Sequence, residues 1–147
     1  MEIEFLVIAD AVETVNGKLY MLGGGWNQYR SPTYPGVLHI GIAVSILVSR
    51  QEGNEPSNYP IKFTLASKDV SVLPQTSGMA IDIQARFIVP PRPKDMPADA
   101  DQRVFVAVNG NFPLPKNGKY RVAAALDGQT PKEVEFDAIV ASPPLVN

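Results

Sequence analysis

The residues able to do chemistry are few and far apart. His39 is the single histidine of a 147-residue chain that has no cysteine, so an imidazole-dependent mechanism has one candidate and thiolate chemistry has none. His39 alternates with small residues along an apolar run, distant in sequence from any serine that could complete a triad, and it reads as a satisfied or surface histidine. Asp95, Asp99 and Asp101 offer the hard oxygens that calcium prefers. They lack the spacing of a calcium loop, and three such carboxylates read as a solvated stretch. Asp10 interrupts an apolar run that includes Ile3, Phe5, Leu6, Val7, Ile8 and Val12. A carboxylate buried there would cost several kcal/mol unless paired, and Arg103 and Tyr120 are the conceivable partners. No second acid, base or nucleophile accompanies it, so anchoring is expected rather than catalysis. No catalytic residue, metal or cofactor is assigned, and the chain is not expected to be an enzyme.

Two sets of residues point to binding instead. Trp26, Tyr29 and Tyr34 lie in or beside one loop, where flat rings near polar groups can stack on a sugar or another small ligand. Gly41, Ala43 and Ser45 alternate on one face of a strand whose other face is wholly aliphatic, and Ala123 and Ala125 do the same on a later strand. If these five share a sheet, its outer face is flat and small-chained, suited to close approach by a protein partner or a second copy. Gly23, Gly24 and Gly25 suggest a phosphate loop, but no Gly-Lys-Ser/Thr follows, so a strand bend or bulge is expected.

The elements that position these residues are strands. Fourteen prolines and eleven glycines break the chain too often for long helices. Strands are expected over residues 2–12, 18–26, 37–49, 61–66, 79–89 and 103–109, with a short edge segment within 69–77 and a hairpin over 120–138. Asn16-Gly17 marks a tight turn after the first strand. Residues 37–49 carry the strongest pattern, with Leu38, Ile40, Ile42, Val44, Ile46 and Val48 on one face. In the last hairpin Tyr120, Val122, Ala124 and Leu126 oppose Val134, Phe136 and Ala138, turning at Asp127-Gly128. Gly118-Lys119-Tyr120 has the spacing of a tyrosine corner, although Val122 stands where immunoglobulin domains carry a cysteine. The Pro-rich stretch 90–102 reads as a connection between sheets. One domain over 1–147 is expected: an all-β, two-sheet antiparallel β-sandwich of about eight strands with immunoglobulin-like Greek-key topology.

The net charge of -2 leaves no electrostatic footprint for nucleic acid or an anionic membrane. An acidic start, no long apolar run and no cysteine point to a soluble, cytoplasmic chain.

Ala9-Asp10, Gly17-Lys18-Leu19, Leu22-Gly23-Gly24-Gly25-Trp26, Asp101-Gln102-Arg103-Val104, Ala107-Val108-Asn109, Gly118-Lys119-Tyr120 and Asp127-Gly128 occur in one order over nearly the whole chain. In this the chain resembles a family of short bacterial proteins known only as a domain of unknown function. The resemblance implies a β-sandwich and transfers no activity, cofactor or site residue. The expectation for function is a non-catalytic structural or protein-interaction module whose partner is another protein or a second copy, with a small-ligand or carbohydrate binder as the alternative.

Overall fold

Period-two burial sets the architecture. The computed structural model describes residues 1–52, 57–68 and 80–142. Among these the chain forms β1 (Glu2–Val15), β2 (Lys18–Gly24), β3 (Gln28–Ser31), β4 (Gly36–Val48), β5 (Ser57–Ser67), β6 (Ala80–Val89), β7 (Gln102–Leu114), β8 (Gly118–Leu126) and β9 (Lys132–Val140), and no helix. The strands make a four-stranded sheet, β2-β1-β4-β7, and a five-stranded sheet, β3-β9-β8-β5-β6.

The aliphatic face of β4 is the middle of the core. Leu38, Ile40, Ile42, Val44, Ile46 and Val48 are buried together with Phe63 of β5, Tyr120 and Val122 of β8 and Phe136 of β9 in one cluster spanning both sheets. Each such side chain is worth roughly 1.5–3 kcal/mol when buried. A slip of one residue would turn the whole face outward, so the β4 register is tightly specified. The two-layer, all-β expectation holds.

Two details differ from it. The described residues contain nine strands rather than about eight, and β3 pairs with β9 in parallel, Gln28 opposite Asp137 through Ser31 opposite Val140, so the five-stranded sheet is mixed. Residues 28–31 carry no alternating apolar run. β3 exists because the backbone of β9 orders it, a tertiary effect that periodicity does not register. Strand β5 also begins earlier than expected, and the edge segment expected within 69–77 lies outside the described residues, as does Met79. Residues 90–101 carry the chain from β6 in one sheet to β7 in the other. The Arg92 guanidinium braces this connection by donating to the carbonyls of Pro97 and Ala100, each at 2.5 Å.

The tyrosine corner is present. The Tyr120 hydroxyl donates to the Lys116 carbonyl at 2.7 Å, and the buried ring stacks on Phe136 with centroids 5.6 Å apart. Removing the hydroxyl leaves a carbonyl short of its partner beside the core, at a cost of about 1–3 kcal/mol. Tyr120→Phe is therefore expected to lower unfolding free energy by that amount in urea titration, with no change in the strand signal of the native state.

Candidate interaction site on the first hairpin

The structure brings Trp26, Tyr29 and Tyr34 together, but as a joint. Trp26 packs edge-on against Phe136 with centroids 5.5 Å apart and lies 6.3 Å from Tyr29. Its indole nitrogen is buried and has no partner among the described residues. The Tyr29 hydroxyl donates to the Val37 carbonyl at 2.7 Å and the Tyr34 hydroxyl to the Ile139 carbonyl at 2.8 Å. Burial, then neighbouring Tyr29 and Tyr120, push the Tyr34 phenol above its ordinary range. The two hydroxyls are thereby used within the chain, Tyr29 tying β3 to the start of β4 and Tyr34 tying the β3–β4 loop to β9, while the indole is packed on the core.

Gly41, Ala43 and Ser45 are not in the sheet of Ala123 and Ala125. The first three lie on β4 in the four-stranded sheet, the other two on β8 in the five-stranded sheet. Nor is the small-chained face open: Ala43 and Ser45 are both 0% exposed. On β8, Ala123 sits between Thr64 and Glu133, and Ala125 is opposite Lys62. That outer face is laced by cross-strand ion pairs, Lys62 with Asp82, Lys119 with Asp137, Arg121 with Glu133 and Lys68 with Glu135. It meets water, each pair adding little to stability.

The chain's own first hairpin covers the β4 face. Pairing of β1 with β4 ends at Ala9 opposite Gly41, while pairing of β1 with β2 continues to Val15 opposite Lys18. Beyond Ala9 the hairpin turns across the outside of β4 and β7. A Cβ on Gly41 would lie 2.9 Å from the Val12 nitrogen and 3.0 Å from the Ala11 carbonyl carbon, so only glycine admits this crossing. Val12 and Leu19 then pack on Ala9, Ala43 and Ala107 in a second small apolar cluster.

Asn109 of β7 secures the crossing. Its Oδ1 accepts from the Val12 amide at 2.9 Å and its Nδ2 donates to the Val12 carbonyl at 2.8 Å. The side-chain amide thus replaces the neighbouring strand that Val12 no longer has. Asp10, expected to be buried, is exposed because the turn begins there. Its carboxylate occupies the space beside Gly23, where a Cβ would lie 2.2 Å from Oδ2 and where φ is +60°. The glycine run is indeed where the strand bends, with Gly25 at φ +83° donating to the Ile8 carbonyl at 2.8 Å.

Neither expected partner of Asp10 serves it. Tyr120 bonds Lys116, and Arg103 pairs with Glu4, Nε and Nη2 reaching the two carboxylate oxygens at 2.7 and 2.6 Å. Glu4 sits at a β-bulge between Ile3 and Phe5 and also accepts from Ser45 Oγ at 2.7 Å. The Arg103 guanidinium first, then the Ser45 hydroxyl, hold the Glu4 carboxyl below the usual carboxylate range. His39 is exposed, its Nδ1 against Asn111 Oδ1 across the β4–β7 ladder. Asp95, Asp99 and Asp101 are exposed, and no group of three or more His, Asp or Glu among the described residues is placed to hold a metal ion.

What remains open is β2. Among the described residues it pairs only with β1 and forms the sheet edge. Tyr20, Met21 and Leu22 are 54%, 44% and 72% exposed. Asn16 and Gly17, at φ 51° and 71°, close the hairpin as a two-residue primed turn. Val15 and Lys18 are then the hydrogen-bonded pair nearest the turn, and bonded pairs recur at every second residue. Tyr20 and Leu22 bond to β1, while Leu19 and Met21 turn their amides and carbonyls to the free edge. The sequence signal for this was the apolar Leu19–Leu22 run after a tight turn, beside a first strand too long to pair fully with its other neighbour.

A family model matches residues 4–139. The chain belongs to a family of unknown function (DUF6941). Among curated proteins none matches it. No helix of the described residues is long and apolar enough to cross a membrane.

Two outcomes follow from the hairpin's attachments. Asn109→Ala leaves the Val12 amide and carbonyl unpaired, which should lower stability by about 1–3 kcal/mol and speed hydrogen exchange at Val12 while core amides of β4 stay protected. Glu4 has a folded pKa below its unfolded value, so the stability it confers is full above the ordinary glutamate pKa of about 4.3 and is lost as pH falls through the lowered value. Urea midpoints followed from about pH 6 to about pH 3 should therefore drop less steeply for Glu4→Gln than for the parent.

Proposed function

We propose that the chain is a non-catalytic protein-interaction module that receives a partner strand along β2. The observation that carries this is the exposure of Tyr20, Met21 and Leu22 on a strand whose far edge is unpaired among the described residues. Such edges are ordinarily blunted by charge, proline, shortness or cover. The other edges are: β6 carries Asp82, Gln84 and Arg86 on its outward face, β3 has four residues and is followed by Pro32, and β7 has Arg103 and Pro113 near its ends with the first hairpin lying over Ala107 and Asn109 between them. In β2 the only charge is Lys18, beside the turn, and there is no proline. Main-chain bonds from Leu19 and Met21 would supply affinity, and the alternating Tyr20 and Leu22 side chains specificity. A net charge of -2 supports a protein partner over nucleic acid. A chain without cysteine has no need of an oxidising compartment, and we infer a cytoplasmic setting.

The test uses two variants of the full chain. Met21→Pro removes an outward amide without touching the β1–β2 ladder, and Tyr20→Lys places a charge on the edge. Both should keep the thermal stability of the parent and lose the proteins it captures from its native host. Capture of the same proteins at the same yield by both variants would show that β2 is not the surface.

A further inference from the structure

Resting on that reading, we propose that the strand β2 receives is β2 of a second copy of this chain, antiparallel and centred on Tyr20. The outward-facing backbone groups lie on Leu19 and Met21, symmetric about Tyr20. A two-fold axis there sets Leu19 against the partner's Met21 and Met21 against the partner's Leu19, giving about four hydrogen bonds from two bonded pairs. Neighbouring registers do worse. Centring on Met21 sets Leu19 against the partner's Gly23, whose φ of +60° takes it off the strand. Centring on Leu19 sets Met21 against the partner's Gly17, which belongs to the turn at φ +71°. Half-steps oppose outward groups to inward ones. The Tyr20 register alone satisfies both outward residues on both strands.

Side chains agree with that register. Tyr20 meets the partner's Tyr20 in a non-bonded pair, where side chains approach most closely. Lys18 falls opposite the partner's Leu22, its methylene stem over the leucine and its ammonium free at the rim. No like charges are opposed, and no charge on β2 is buried. A strand of opposite charge would find only Lys18 to pair with on β2, whereas an identical strand sets Tyr20 on its equivalent and Leu22 on the partner's Lys18 stem. The pairing spans one short edge strand, smaller than a standard interface of roughly 800 Å² per partner, so the dimer is expected to be weak and reversible.

Sedimentation velocity on the full chain from about 5 µM to about 500 µM, with amide exchange at Leu19 and Met21 over the same range, tests it. Expected are a monomer–dimer equilibrium, exchange at those two amides slowing as the dimer fills, and dimerisation at least about tenfold weaker in Met21→Pro and Tyr20→Lys. A chain monomeric throughout overturns the proposal, as does a dimer indifferent to both variants. If the chain stays monomeric yet capture of other proteins still depends on Met21, the second copy is excluded and the edge reading stands.

Discussion

The outside of the four-stranded sheet depends on one steric allowance, the missing side chain at Gly41. A strand of aliphatic residues needs cover on one face; β4 is covered on both, by the other sheet within and by the first hairpin without. The outer cover is thin, made of Val12 and Leu19 on alanines. It can lie so close because the backbone of Ala11 and Val12 crosses where a Cβ would otherwise stand. The transfer energy gained is small, since alanine and glycine offer little apolar area. Asn109 therefore matters more than its exposure suggests: by satisfying both polar groups of Val12 it removes the desolvation cost of the crossing.

The two sheets consequently differ on their outer faces. The five-stranded sheet shows a grid of opposite charges across its strands, which keeps it wet and discourages stacking by a second sheet. On the four-stranded sheet, the side of the hairpin bearing Val12 and Leu19 is used against β4 and β7. Its other side and its far edge are left as the exposed apolar surface. The exposed edge is thus a by-product of how β4 is covered: once β1 leaves the sheet at Ala9, β2 has only β1 for a neighbour among the described strands.

How much of this the sequence shows depends on the range of the interaction. The aliphatic face of β4, the Asn16-Gly17 turn, the bend at Gly23 to Gly25 and the Tyr120 corner are written in residues one to four positions apart, and all are present as expected. The alternation Gly41, Ala43, Ser45 has the same look as Ala123, Ala125, but alternation reports only that a face is small-chained. It does not report which sheet the strand joins or what lies on it. The first face is covered by backbone and the second is flanked by long charged neighbours. Asp10 reads as buried because its neighbours are apolar, and it is exposed because the strand turns at that residue. Asn109 and Arg103 find partners 97 and 99 residues away. β3 is ordered by a parallel neighbour from the other end of the chain. For Trp26, Tyr29 and Tyr34 the sequence supplies rings beside polar groups but not what their polar tips meet: both hydroxyls bond main-chain carbonyls of the chain itself, and the indole nitrogen is buried.

An exposed apolar edge carries the hazard of open-ended growth, and the hairpin limits it. An edge strand already held extended by β1, and clamped through Val12 to Asn109, gives up little conformational entropy on receiving another strand. Pairing there is cheap and would be indiscriminate if the edge were long. It is short at both ends: Gly17 turns the chain at one, and Gly23, with φ +60° and the Asp10 carboxylate filling the space beside it, leaves the strand at the other. Between them only Leu19 and Met21 present bonding groups. A two-fold pairing consumes both on each chain and leaves none over. The features that force β2 to the outside therefore also fix the length of strand it could accept, and the association we propose at this edge would end with one partner.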